Sequence, residues 1–88
     1  MVGVPRAIWN LWFSEAERAY HLGGDEFEQE LYAEAISHYD KAIQLDPDDA
    51  SAYNNRGVVY GYLGQDVNAM EDFDKAIQLD PDYAWAYY

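Results

Sequence analysis

The sequence predicts an all-α chain in which antiparallel helix-turn-helix units repeat and stack as a short α-solenoid. Three observations carry that reading. Asp40-Lys41-Ala42-Ile43-Gln44-Leu45-Asp46-Pro47-Asp48 recurs without a change as Asp74-Lys75-Ala76-Ile77-Gln78-Leu79-Asp80-Pro81-Asp82, 34 residues on. Small and apolar residues around both copies stand three or four apart, the spacing of one helix face. Glycine or proline then closes most of these runs, where a helix has to stop. A fixed period of this length marks a chain built from one supersecondary unit, which buries its apolar face only by stacking on a neighbour.

Residues 1–14 read as an aromatic extension. Pro5 is placed to start a short helix with Ile8, Trp9, Trp12 and Phe13 along one side, rings that are expected to cover the open face of the first hairpin. Ser14-Glu15-Ala16-Glu17 fits a capping box, so the first repeat helix starts at about Glu15.

The first unit runs over 15–47. Tyr20, Gly24 and Phe27 have the spacing of Tyr53, Gly57 and Tyr60 at an offset of 33, which makes the connection after the first helix one residue shorter. A competing register aligns Leu22-Gly23 with Arg56-Gly57 and keeps 34 throughout, but it sets Glu26 opposite the aromatic Tyr60. The aromatic match is the preferred expectation. The second helix carries the stripe Ala35, Tyr39, Ala42 and Ile43 and ends before Pro47, which has no amide hydrogen to continue the ladder.

The second unit runs over 48–81. Asp49 is a cap for a helix bearing Tyr53, Gly57, Tyr60 and Leu63, and Gly64 supplies the positive φ of its end. Ala69, Phe73, Ala76 and Ile77 form the last stripe, stopped by Pro81. Residues 82–88 then begin a third unit, with Asp82 as its cap and Tyr87 matching Tyr53. Gly24, Gly57, Ala35 and Ala69 fall where backbones approach closely, with the large rings filling the space beside them.

These residues resemble the tetratricopeptide repeat, whose pattern places an aromatic, a glycine, an aromatic, an alanine, an aromatic, an alanine and a proline along 34 positions. In the second unit they are Tyr53, Gly57, Tyr60, Ala69, Phe73, Ala76 and Pro81; in the first, Tyr20, Gly24, Phe27, Ala35, Tyr39, Ala42 and Pro47. Glu30 departs from the pattern where the other copy has Gly64. The resemblance implies a right-handed solenoid whose first helices line a concave groove for a peptide. Carried onto this sequence, that groove takes Arg18, His21, Asp25 and Glu28 from the first unit and Ser51, Asn54, Asn55, Val58 and Tyr62 from the second. One subgroup of the family clamps the terminal carboxylate of chaperones. Only Asn55 matches it here, while His21 and Asp25 stand for the expected lysine and asparagine, so no affinity for acidic chaperone tails is expected.

Charge narrows the partners. Five Lys and Arg against 17 Asp and Glu give a formal charge of -12, which repels phosphate backbones and anionic headgroups; it either serves solubility alone or draws in a basic protein or peptide. Neither nucleic acid nor a membrane is expected as a partner. The apolar stretch Ile8–Phe13 is interrupted by Asn10 and too short to span a bilayer. Without cysteine there is no disulfide framework and no thiolate site, which is compatible with the cytoplasm. An aromatic content of 17% predicts a folded core.

No catalytic constellation is present, and neither enzyme activity nor a cofactor is expected. Glu34 and His38, like His21 and Asp25, are one helical turn apart, but two ligands do not make a metal site. Gly23-Gly24 lacks the strand and the further glycines of a phosphate loop. Three readings remain: a peptide- or protein-binding adaptor; a homo-oligomer joined through Trp9, Trp12, Phe13, Trp85, Tyr87 and Tyr88; and a natural or engineered fragment of a longer array with no activity of its own. The second follows from size, because two repeats are fewer than the three or more that usually make a stable stack.

Overall fold

The computed structural model describes residues 8–82. Five helices follow one another: α1 (Trp9–Trp12), α2 (Glu15–Glu28), α3 (Tyr32–Leu45), α4 (Ala50–Tyr62) and α5 (Asp66–Leu79). The last four make two hairpins, α2 against α3 and α4 against α5, with α4 stacked on α3.

The ends of these helices follow from local chemistry. Before α2 the Ser14 hydroxyl accepts from the Glu17 amide at 3.1 Å, while the Ser14 amide donates to the Glu17 carboxylate at 2.8 Å. Those bonds, the backbone one foremost, hold the Glu17 carboxyl below its usual range. Before α4 the Asp49 carboxylate accepts from the amides of Ser51 and Ala52. At the far ends of α2 and α4, Glu30 and Gly64 both turn left-handed, with φ of 63° and 76°. The amides one residue on, of Leu31 and Gln65, reach back to the carbonyls of Glu26 and Tyr60 at 2.8 and 2.9 Å. Glycine takes that conformation freely; at Glu30 the Cβ makes it cost about 1 kcal/mol.

The glycines correct the register expected for the first repeat helix. A Cβ on Gly57 would lie 2.8 Å from the Phe73 ring, and a Cβ on Gly23 would lie 2.9 Å from the Tyr39 ring. Tyr39 and Phe73 are themselves 34 apart, so Gly23, not Gly24, is the counterpart of Gly57, and the period is 34 throughout. The objection to that register was Glu26 at an aromatic position. Packing accommodates it because His38, on α3, meets its carboxylate at 2.6 Å. His38 therefore pairs with Glu26 across the hairpin and not with Glu34 along the helix.

Between the hairpins lies an apolar core of small and aromatic residues. Ala19, Ala42 and Ala52 cluster with Tyr20 and Ile43, and Ala35, Tyr39 and Val59 cluster with Tyr20, Phe27, Tyr32 and Ile36. The alanines let α2, α3 and α4 approach, and Val59 from α4 fills the space beside the Tyr39 ring. A polar seam lies beside this core. Arg56, on α4, donates to Asp72 of α5 through two nitrogens at 2.7 and 2.8 Å, and to Asp40 of α3 at 2.8 Å. Its guanidinium sits 5.5 and 5.7 Å from the ring centres of Tyr53 and Tyr60.

Of the N-terminal rings, Phe13 packs on His21 with centroids 4.7 Å apart, and the Phe13 carbonyl accepts from Arg18 at 2.7 Å. Trp12 is not part of a cover over the first hairpin: it is 67% exposed, beside Leu11. Pro5 and residues 83–88 lie outside the described residues, as does the side chain of Trp9.

Candidate functional site

The two first helices, α2 and α4, share one wall of the molecule, and between them lies an open hollow of about 440 Å³. Tyr20, His21, Gly24, Asp25, Phe27 and Glu28 line it from α2, Asn55 and Val58 from α4, and Tyr39 closes its floor from α3. Positions 20, 21, 24, 25, 27 and 28 fall at the three- and four-residue spacings of a single helix face. That face is available because the opposite one, with Ala19 and Gly23, is buried against α3.

Hydrogen bonding and rings fix the hollow's shape. The Asn55 amide donates to the Tyr20 hydroxyl at 2.8 Å, which ties the two helices across the groove. Tyr20 meets Tyr39 edge-on with centroids 5.8 Å apart. Burial pushes the Tyr39 phenol up to about 12, helped by the neighbouring Tyr20 and by the negative field of Asp25 and Glu26 and opposed by the Asn55 amide. At one end, Phe27, Tyr32 and Tyr62 form a triangle of rings with centroids 5.1 to 5.8 Å apart.

Five of the groove residues expected from sequence meet here: His21, Asp25, Glu28, Asn55 and Val58. Four do not line this hollow. Arg18 borders a smaller depression with Glu15, Leu22, His38 and Lys41. Ser51 lies at the start of α4 next to its cap. Asn54 is 6% exposed, with a buried Oδ1 that has no hydrogen-bond partner among the described residues. Tyr62 stands at the groove's end in the ring triangle, 65% exposed.

Tyr20, Gly24, Phe27 and Tyr39 line the hollow without having been expected there. The period of 34 contains the signal for one of them, since it sets Gly24 opposite Val58, whereas Tyr20 falls opposite the buried Asn54. It also moves the comparison with the carboxylate clamp by one residue. Tyr20 and Gly24, and not His21 and Asp25, occupy the places of the clamp's lysine and asparagine. Among the described residues the lining holds two carboxylates and neither lysine nor arginine. Among the described residues no three metal-ligating side chains converge, and no helix is long and apolar enough to cross a membrane.

Known proteins share both the sequence pattern and the architecture. Residues 23–64 match the family described as TPR repeat, and residues 50–83 match Tetratricopeptide repeat. The Hsp70-Hsp90 organizing protein 1 of Glycine max is 40% identical over 57 residues, which are 65% of this chain and 10% of that protein. The small glutamine-rich tetratricopeptide repeat-containing protein beta of Homo sapiens is 37% identical over 66% of this chain and 19% of its own length. The chain thus spans between a tenth and a fifth of these relatives. Among solved structures, the TPR2B-domain:pHsp70-complex of yeast Sti1 superposes with a TM-score of 0.80 at 33% identity, over 83% of this chain and 58% of that one. The first TPR of Spaghetti (RPAP3) bound to HSP90 peptide SRMEEVD gives the same score at 32% identity, with the same coverage. With two stacked hairpins, a 34-residue period and these matches, the chain belongs to the tetratricopeptide repeat family.

Proposed function

We propose that the chain is an interaction module that holds an extended peptide of a partner protein in the groove between α2 and α4, and that it does no chemistry of its own. The observation that carries this is the hollow itself, in which a hydrogen-bonded Tyr20–Asn55 bridge and the rings of Phe27 and Tyr39 offer polar and apolar contacts side by side. The likeness to one structure solved as a pHsp70 complex and another bound to an HSP90 peptide supports it at the level of peptide or protein binding.

The choice of peptide is where this chain parts from those neighbours. The HSP90 peptide of one neighbour is acidic, with two glutamates and a terminal aspartate in SRMEEVD. Here Asp25 and Glu28 border the groove, no lysine or arginine among the described residues lines it, and the whole chain carries -12. A neutral or basic peptide suits it better. Peptides selected from a random phage-displayed library on the full chain should lose binding on Val58→Glu and weaken on Asn55→Ala. Binders indifferent to both substitutions would refute the groove, and a micromolar dissociation constant for SRMEEVD would refute the charge preference.

A second reading rests on exposed apolar side chains. Leu11 and Trp12 are 76% and 67% exposed, and Val67 and Met70 extend along α5 at 73% and 49%. Such surfaces favour association with a further copy, and a single monomeric species at high concentration in equilibrium sedimentation would dismiss it. Of the residues expected to join copies, Phe13 is instead engaged with His21, while the Trp9 side chain and Trp85, Tyr87 and Tyr88 lie outside the described residues.

A further inference from the structure

Gly24 occupies the middle of α2, where glycine is among the least favourable residues. Packing does not require it. Its φ is not positive, and a Cβ there would meet nothing nearer than the Tyr39 hydroxyl at 3.6 Å, an ordinary contact. Gly23, by contrast, is required by the Tyr39 ring. What the bare Gly24 backbone does is keep the hollow open between Tyr20, one turn before it, and Phe27, one turn after.

The opening is acidic on balance, with the carboxylates of Asp25 and Glu28 against the single imidazole of His21. One N–H of the Asn55 amide is engaged with the Tyr20 hydroxyl, and the polar groups around the opening are the oxygens of Tyr20 and Tyr39, the carboxylates of Asp25 and Glu28 and the His21 ring. Resting on the groove reading above, we propose that the hollow beneath Gly24 receives a lysine side chain of the bound peptide, its ammonium set between the Asp25–Glu28 rim and the hydroxyls of Tyr20 and Tyr39. Lysine suits the opening because its narrow stem packs on Phe27 and Val58, and its compact head offers three donors. The ring faces add a further attraction for the cation.

The test is a nitrogen-15 NMR titration of the full chain with Nα-acetyl-lysine methylamide. Saturable shifts are expected at Gly24, Asp25, Glu28 and the Asn55 side-chain amide. The norleucine analogue, with a stem of the same length and no charge, should bind about fivefold more weakly, the loss expected for one partly exposed ion pair with a ring contact. Asp25→Asn should weaken the lysine probe by a similar factor, and Gly24→Leu should abolish its binding while the circular dichroism stays helical. If Gly24→Leu unfolds, Asp25→Asn carries the test. No localised shift up to the probe's solubility limit, or equal affinity for norleucine, would overturn the assignment. A selected peptide that binds the groove equally well after its lysines are acetylated overturns the lysine site and leaves the groove standing. A selection that yields no groove-dependent binder overturns both.

Discussion

Replacing Arg56 by methionine tests how much the polar seam stabilises the fold, chiefly through its grip of α4 on α5 inside the second hairpin. The Arg56 side chain is 20% exposed, and the Asp72 carboxylate that it grips through two nitrogens is 6% exposed. Methionine keeps much of the volume and removes the cation, leaving Asp72 charged, buried and unpaired. Breaking a buried pair from one side costs about 3–5 kcal/mol. Asp40, 48% exposed, loses a partner worth at most about 1 kcal/mol. A chain of 88 residues has roughly 4–13 kcal/mol in total, so Arg56→Met should remove about a quarter of it or more. Urea unfolding followed by helix circular dichroism measures the loss. With a slope of about 1 kcal/mol per molar for a protein this small, the midpoint should fall by about 3 M. The double variant Arg56→Met with Asp72→Leu should recover most of the loss, because no charge is left buried. A midpoint shift under about 1 M for the single variant, or a double variant no better than the single, would refute the reasoning.

Two further outcomes separate other parts of the structure. Gly23→Ala and Gly57→Ala force a Cβ to within 2.9 and 2.8 Å of a ring and should each destabilise by about 1–3 kcal/mol, whereas Gly24→Ala should stabilise by about 1 kcal/mol; thermal melts showing Gly24 as the sensitive position would restore the offset of 33. Stability should also fall as pH rises from 10 through about 12, because the unfolded Tyr39 phenol ionises near 10 while the folded one, held neutral by burial, does not give up its proton until about 12. Tyr39→Phe should make that decline shallower in melts between pH 8 and 12, and an unchanged or steeper slope would count against it.

The helices were legible because their signals are local. An exact repeat, small and apolar residues at helical spacing, Ser14 and Asp49 as caps, and Gly64 and the prolines as stops all act within a few residues of where they stand. The register of α2 was not legible, for a reason that is not local: two adjacent glycines could each match Gly57, the aromatic match favoured Gly24 over Gly23, and the residue that reconciles Glu26 with its position is His38, on another helix. The groove was half legible for a related reason. His21, Asp25, Glu28, Asn55 and Val58 read as solvent-facing, but Tyr20 and Tyr39 serve the core and the groove at once, and periodicity assigns such residues to the core alone. Nothing near Arg56 in sequence announces Asp40 and Asp72, each 16 positions away.

Helix α4 is gripped from both sides, by α3 through Val59 and Arg56–Asp40 and by α5 through Gly57 and Arg56–Asp72. In a long array, hairpins can fray one at a time from the ends, each loss costing only the contact with its neighbour. With Val59 of α4 buried in the core it shares with Ala35 and Tyr39 of α3, and Arg56 beside it tied to α5, neither hairpin can leave without disturbing the other. The pair therefore behaves as a single cooperative unit, and a spectroscopic probe in the first hairpin should report the same transition as one in the second.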